Sequence, residues 1–402
     1  MRKRSWSACA KSSKTTRASN SPDPATGGVL FPAELRLAKL SVTTRQALLT
    51  WFRAQARDLP WRRERTPHRV WISEIMLQQT QVATALPYFQ RFLEAFPTAA
   101  ALAEAPEDHV MALWAGLGYY SRARNLMACA RKQVAVHGGS LPANAQALAA
   151  LPGFGPYTVA AVGSLAFGLP LAVLDGNVIR VLARLAALEE DVARPAVRKR
   201  LQQMADELLD PVGPGEWNEA LMELGATCCH PRQPLCAECP LEPDCLAFKA
   251  GTPGAFPVKA RKEAPPACPT VVLLAQDAEG RVLARRRGDK GMLRGLWELP
   301  SQEAKRGKWT PPALEAVWRE LWESVLRQVL GEDCQAQVDA ALLDGLRFTH
   351  AYSHFRALVL ARRVCVRDGA AELHPWIWLT ASEVEKLGFS ARDRRVLKEY
   401  LS

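Results

Sequence analysis

The sequence predicts a multidomain chain, with an all-α core over residues 35–249 and a smaller α+β domain over residues 268–402. Three observations carry that prediction. From residue 35 to 249, Ala/Leu-rich segments recur at the helical period, punctuated by Pro and Gly. Residues 250–267 are rich in Pro and Lys, as a linker is. Beyond them the apolar pattern shifts toward the strand period.

The elements follow in chain order. Residues 1–34 read as a disordered basic arm, rich in Ser, Thr, Lys and Arg, then Pro and Gly. Six Lys/Arg and no acid in the first twenty residues also match an organellar targeting segment, while a flexible tail or a misplaced start codon fits the same composition. Helices are predicted over residues 43–56, 70–85, 87–96, 106–115, 121–137, 143–150, 157–167, 177–185, 195–209 and 217–225. After the linker, strands are predicted over 270–275, 282–286, 348–363 and 376–379, and helices over 311–330 and 381–387.

Composition narrows the class. With 48% hydrophobic and 23% charged residues, the 402-residue chain is not collagenous, wholly disordered or membrane-embedded. The longest apolar stretch, residues 159–174, is interrupted by Gly163, Ser164, Gly168 and Pro170, too often to span a bilayer. The ten cysteines are too sparse for a secreted disulfide framework, and no apolar signal region opens the chain. A soluble protein of a reducing, cytoplasmic compartment is expected. The net charge of +11 suggests nucleic acid, but it is uneven. Residues 1–40 carry eight Lys/Arg against two Asp/Glu, residues 41–250 carry twenty of each, and residues 251–402 carry twenty-four against nineteen.

Four constellations carry chemistry. Cys229, Cys236, Cys239 and Cys245 lie within seventeen residues, so four thiolates can converge on one centre. The spacing leaves zinc and an iron–sulfur cluster open. Adjacent Cys228 is assigned to packing. Next, the turn Leu151-Pro-Gly-Phe-Gly-Pro-Tyr157 reads as a helix–hairpin–helix. Gly153 and Gly155 would let backbone approach a DNA phosphate, which the following helix N-terminus would bind. An ordinary turn between helices fits the same residues. Third, Asp175 sits where an apolar run meets a helix. It reads as an N-cap, and equally as a carboxylate placed to stabilise a cationic sugar. Fourth, Glu74 lies beside an inner stripe of Ile72, Ile75, Met76, Gln79 and Val82. Desolvation there would raise its pKa, as a general acid needs, although a solvated helix-face Glu is the plainer reading. Clustered Gln can hydrogen-bond base edges.

Together these elements resemble the helix–hairpin–helix DNA glycosylases that carry a [4Fe–4S] cluster, and among them the adenine DNA glycosylase (MutY) branch. The matching strings are Leu59-Pro-Trp-Arg62, Ser73-Glu-Ile-Met-Leu-Gln-Gln-Thr-Gln-Val82, Gly116-Leu-Gly-Tyr-Tyr-Ser-Arg122, Leu151-Pro-Gly-Phe-Gly-Pro-Tyr-Thr158 and Leu174-Asp-Gly-Asn-Val178, with the four cysteines. The resemblance implies base excision repair. Adenine opposite 8-oxoguanine or guanine in double-stranded DNA would be rotated out and its N-glycosidic bond hydrolysed, leaving an abasic site. It turns the metal reading toward a cluster. It also implies that Glu74 protonates adenine, that Asp175 stabilises the oxocarbenium ion, and that Tyr157 and Asn177 orient them. Its adenine pocket maps to Arg57, Trp61, Leu77, Val82, Glu219 and Met222. Its wedge and lesion contacts map to Gln79, Thr80, Leu117 and Tyr119.

The C-terminal part resembles a Nudix domain with a broken metal box, in which Arg319-Glu320-Leu-Trp-Glu323-Ser324 keeps only part of the glutamate set. It implies lesion recognition without hydrolysis, through Ser353 and His354. A monomer is expected. The rivals are an endonuclease III-like glycosylase/lyase, which needs a Lys where Tyr157 stands, a non-catalytic cluster-bearing damage sensor, and a nucleotide pyrophosphatase. Because the core is neutral by count, its hold on DNA is expected from the hairpin amides with Arg122, Arg124 and Arg232.

Overall fold

The computed structural model describes residues 40–260, 263–330, 345–366 and 375–401. The basic arm expected over residues 1–34 lies outside the described residues. The helical part runs through α1 (Val42–Gln55), α2 (Pro60–Arg63), α3 (Pro67–Leu77), α4 (Val82–Ala95), α5 (Ala99–Glu104), α6 (Glu107–Trp114), α7 (Ser121–His137), α8 (Ala145–Ala149), α9 (Pro156–Phe167), α10 (Gly176–Leu185), α11 (Pro195–Leu208), α12 (Pro214–Thr227) and α13 (Leu246–Lys249). Local chemistry sets the starts. Ser41, Thr66, Thr98, Asn144 and Asp175 each cap a helix by accepting a backbone N–H. Proline opens α2, α3, α9, α11 and α12, where a missing N–H costs nothing.

The single helix expected over residues 70–85 is two. α3 stops at Leu77, the chain turns with Gln79 at φ 58°, and α4 begins at Val82 and continues through Pro87. The physical reason is Arg122. Its guanidinium takes the carbonyls of Ile75 and Met76, which a continuing helix would need for its own ladder. Gln79 and Val82 therefore do not extend the stripe beside Glu74. Helix α3 is buried from Val70 through Met76, at the centre of a core built on Trp71, Phe89, Phe92 and Trp114.

The C-terminal part is a mixed sheet flanked by helices: β1 (Ala267–Gln276), β2 (Val282–Arg286), β3 (Trp297–Glu298), β4 (Ser301–Glu303), α14 (Pro311–Leu330), β5 (Leu346–Ala351), β6 (Arg356–Cys365), β7 (Ile377–Leu379), α15 (Ala381–Lys386) and α16 (Ala391–Leu401). Strand order is β3-β2-β1-β6-β5, with β4 on β1 and β7 on β2. β1 and β6 are parallel, with Val271 opposite Leu360. β1 is buried at every position because both faces are covered. Val271 and Leu273 meet Trp318 and Trp322 of α14, while Val272 and Leu274 share a cluster with Val396 and Leu397 of α16. The strand expected over 348–363 is two, β5 and β6, folded back at Tyr352-Ser353-His354. Sequence reasoning missed helix α16 and the short β3 and β4.

The early linker is not free chain. Arg184 donates to the carbonyls of Pro253 and Phe256, and the Val192 amide to that of Val258. Among the described residues no helix is long and apolar enough to cross a membrane.

Candidate active site

Glu74, Tyr157 and Asp175 converge on one cavity of about 470 Å³. Glu74 is 3% exposed on α3, and the Tyr157 hydroxyl, from the first turn of α9, donates to its Oε2 at 2.5 Å. Burial is the largest influence on Glu74 and pushes it up to about 7, with the charges of Glu219 and Asp175 adding and the Tyr157 hydrogen bond and Arg62 opposing. Burial, then the neighbouring carboxylates, raises Tyr157 well above its ordinary value. It is a neutral donor at neutral pH.

Asp175 is both the N-cap of α10 and a wall of the cavity. Its Oδ1 accepts from the amides of Asn177 (2.9 Å) and Val178 (2.7 Å), and its Oδ2 from Asn177 Nδ2 (2.9 Å). Burial raises its pKa and these bonds oppose the rise. Asn177 Oδ1 accepts from Arg180 (2.9 Å), whose Nε donates to the Cys229 carbonyl (2.7 Å). Gly225 of α12 permits this approach, since a Cβ there would stand 2.5 Å from Asn177 Cβ.

The opposite wall is ionic. Glu223 of α12 accepts from Arg57 Nε (2.7 Å) and Nη2 (2.8 Å), from the Arg57 amide (3.0 Å) and from Arg62 Nη2 (2.9 Å). Burial alone would raise Glu223, but the hydrogen bonds from Arg57 and Arg62 overcome it and hold the carboxyl at about 2. Glu219 pairs with Arg62 (3.3 Å) and Arg65 (2.6 Å). Trp61, Leu77, Val82 and Met222, with Leu59, Val70 and Leu165, give the cavity its apolar lining.

The hairpin lies between α8 and α9. Gly153 takes φ 82°, and a Cβ there would sit 2.9 Å from Asn125 Cβ. Gly155 caps α9 without a side-chain bond and Pro156 follows at its first turn, so amides at this exposed helix start have no intrahelical partner.

Arg122 corrects an expectation. It is 7% exposed and cannot contact a phosphate. Its guanidinium donates to the carbonyls of Ile75 (2.8 Å), Met76 (2.9 Å), Gln78 (2.7 Å), Leu117 (3.0 Å) and Gly118 (3.3 Å), and to Thr80 Oγ1 (3.3 Å). It packs over the rings of Trp114 and Tyr119. Burial pulls its pKa down to about 10, so it stays charged at neutral pH. It ties together two turns whose non-glycine residues Gln79 (φ 58°) and Tyr119 (φ 46°) have positive φ. Arg124 is likewise engaged, with Glu107 at 3.0 Å and with the Arg294 carbonyl, whereas Arg232 is exposed. Arg122→Met is expected to destabilise the fold by about 3 kcal/mol or more, since each charged hydrogen bond contributes roughly 1.5–3 kcal/mol and carbonyls would be left unpaired. A urea midpoint close to wild type at unchanged slope would contradict this.

Of the expected wedge, Leu117 is 6% exposed and turned into the core, while Gln79 is exposed and Tyr119 is 44% exposed. Tyr119 also faces the C-terminal part, which belongs to the same compact unit. Ser353 Oγ donates to Tyr119 Oη at 3.2 Å. These residues, with His354 and Leu117, line a cleft of about 770 Å³ between the two parts. The buried Tyr120 hydroxyl donates to the Phe389 carbonyl across the same junction at 3.0 Å.

Cys229, Cys236, Cys239 and Cys245 line a second, small cavity. Cys228 is buried and lines it too. As placed, no group of three or more His, Cys, Asp or Glu among the described residues stands at metal-binding geometry. The donor set nevertheless suits a thiolate-bound centre. The four cysteines line one space, and Arg184 donates to Cys229 Sγ at 3.1 Å, opposing the build-up of negative charge.

The HhH-GPD superfamily base excision DNA repair protein profile matches residues 72–207, and a NUDIX domain profile matches residues 271–399. The Homo sapiens adenine DNA glycosylase is 34% identical over 416 residues, covering 89% of this chain and 73% of that protein. The chain belongs to the adenine DNA glycosylase family. The Rattus norvegicus adenine DNA glycosylase is 39% identical over 411 residues, covering 89% of this chain and 77% of that protein. A solved thermostable thymine-DNA glycosylase aligns with a TM-score of 0.46 at 29% identity, covering 51% of this chain and 95% of that one.

The resemblance read from the motifs is therefore borne out, as is a helical glycosylase core followed by a Nudix-like domain. In this adenine DNA glycosylase family member, every residue expected in the adenine pocket lines the first cavity. Arg62, Arg65 and Glu223 line it as well, and sequence reasoning gave them no role. A signal for Glu223 was present: acids four residues apart, Glu219 and Glu223, lie on the inward side of a helix with the apolar Trp217, Ala220, Leu221 and Leu224, the other polar residue buried there being Asn218.

Proposed function

We propose that this protein excises adenine paired with 8-oxoguanine or guanine in duplex DNA, by hydrolysis, leaving an abasic site. The observation that carries the reading is the 2.5 Å bond from Tyr157 to a buried, protonatable Glu74, with Asp175 on the same cavity. The flipped adenine enters that cavity. Glu74 gives its proton to N7, making the base a better leaving group. The glycosidic electron pair departs with adenine, and the cation left at C1′ is stabilised by the Asp175 carboxylate. Glu74, now anionic, takes the proton of the attacking water. Tyr157 holds Glu74 and Asn177 holds Asp175 throughout.

A lyase reading is disfavoured. Among the described residues lining the cavity none is a lysine, so no amine stands ready to form a Schiff base. Incubation with a duplex carrying one adenine·8-oxoguanine pair is expected to release free adenine and leave a strand that breaks only on alkali. Breakage before alkali, or no release, would overturn the reading.

The hairpin amides and Arg232 bind phosphate, Gln79, Thr80 and Tyr119 fill the vacated stack, and the cleft at Tyr119, Ser353 and His354 receives the opposing base. The Nudix-like domain recognises and does not hydrolyse: Glu320 and Glu323 are exposed, Glu323 pairs with Arg327, and Ser324 offers no carboxylate. Cys229, Cys236, Cys239 and Cys245 hold a [4Fe–4S] cluster, a thiolate-bound centre that fixes the loop between α12 and α13. The purified protein is expected to contain iron and acid-labile sulfide in equal amounts, lost in Cys236→Ser. Zinc without sulfide would contradict the assignment.

A further inference from the structure

We propose that Glu223 is a positioning residue for this reaction: it tethers the Arg57 and Arg62 guanidiniums along one wall of the cavity and so keeps Arg62 off the Glu74 carboxyl. The inference rests on the reading of Glu74 as general acid. The geometry carries it. The Glu223 side chain is 0% exposed, and both of its oxygens are spent on guanidiniums, one at 2.7 Å and one at 2.8 and 2.9 Å. A guanidinium does not lose its proton in a protein, so only its position can change its effect on a neighbour.

Glu74 shares its cavity with other charged and titratable groups. Tyr157 comes from α9, Asp175 and Arg180 from the start of α10, Glu219 and Glu223 from α12, Arg62 from α2, and Arg57 and Arg65 from the chain on either side of α2; among the cations it is Arg62 that lowers Glu74. Helix α4 presents Val82, and Arg122 of α7 binds the Ile75 and Met76 carbonyls. Arg62 is thus the cation that weighs against a protonated Glu74. If the Glu223 charge is removed, Arg57 (37% exposed) can turn to solvent. Arg62 (13% exposed) cannot, and the remaining carboxylates of its cavity are Glu219, Asp175 and Glu74. It then favours the ionised form of the group that must donate.

Single-turnover excision is to be followed from pH 5.5 to 9 in wild type, Glu223→Gln and Glu223→Gln/Arg62→Gln. The single variant is expected to move the midpoint of the alkaline fall down by about one pH unit. It would be about tenfold slow at pH 8 and near wild type at pH 5.5, because above the midpoint the protonated fraction changes about tenfold for each pH unit the midpoint moves. The double variant is expected to return the midpoint toward wild type. A Glu223→Gln rate lowered equally at every pH, or an unmoved midpoint, overturns the proposal and marks Glu223 as merely structural. Should Glu223→Gln not fold, Arg62→Gln alone must raise the midpoint, and failure to do so overturns the proposal as well. A wild type that excises adenine with no alkaline fall overturns the general-acid reading itself, which separates the two failures.

Discussion

Glu74→Gln is expected to slow single-turnover adenine excision by about 10²–10⁴-fold, the usual contribution of a positioned general acid. The substitution is nearly isosteric, and the amide oxygen can still accept the Tyr157 hydroxyl that bonds Oε2 at 2.5 Å. What disappears is the transferable proton. Duplex affinity should stay within a few-fold of wild type, because Glu74 is buried and takes no part in holding the backbone. Undiminished excision would sink the assignment, and lost folding would be visible as lost affinity.

Asp175→Asn is expected to cost about 10²–10³-fold in the same assay, the scale seen when one preorganised electrostatic group is removed from a transition state. This variant separates the two readings of the residue. Asn caps helices about as well as Asp, so the bonds from the Asn177 and Val178 backbone N–H groups survive; the bond from Asn177 Nδ2 is lost, and stability should fall by no more than about 1–1.5 kcal/mol. If capping were the whole role, the rate would be nearly unaffected. A large rate loss with no greater loss of stability than this shows that the charge itself is used.

Much of this site was legible because its residues sit at places where local rules and chemistry coincide. Asp175 is recognisable as a cap from sequence, and the same position delivers it to the cavity. Gly153 marks the hairpin because its φ of 82° and the closeness of Asn125 leave little room for another residue, whereas Gly155 takes an extended conformation that other residues also adopt. The break after α3 was not legible. Residues 70–85 place Ile72, Ile75, Met76 and Val82 at helical spacing across the polar run Gln78-Gln79-Thr80-Gln81, and what ends the helix within that run is a cation from forty-odd positions away, Arg122, whose bonds to carbonyls leave no trace in local pattern. The same contact explains the misreading of Arg122 as a DNA ligand: an Arg beside a predicted wedge looks exposed until its partners are known. Glu223 escaped for a related reason. An acid on a mostly apolar helix reads as a surface residue unless Arg57 and Arg62, more than a hundred and fifty positions earlier, are known to meet it. In the C-terminal domain, β1 was visible as a continuous apolar run because both its faces are covered, whereas the buried face of α16 begins with the charged Arg392–Asp393 pair, and its apolar stripe is confined to Val396, Leu397, Tyr400 and Leu401.

The central claim is that a buried Glu74, protonated near neutrality, donates to the departing base. The pH dependence of single-turnover excision on an adenine·8-oxoguanine duplex tests it most directly. With Glu74 pushed up to about 7, its protonated fraction is high below that pH and falls roughly tenfold per pH unit above it. The rate constant should therefore be level from pH 5.5 to 6.5 and then decline with that slope, and the residual rate of Glu74→Gln should show no such decline. A wild-type profile flat from pH 6 to 9, or one falling already through the ordinary carboxylate range, would contradict the account.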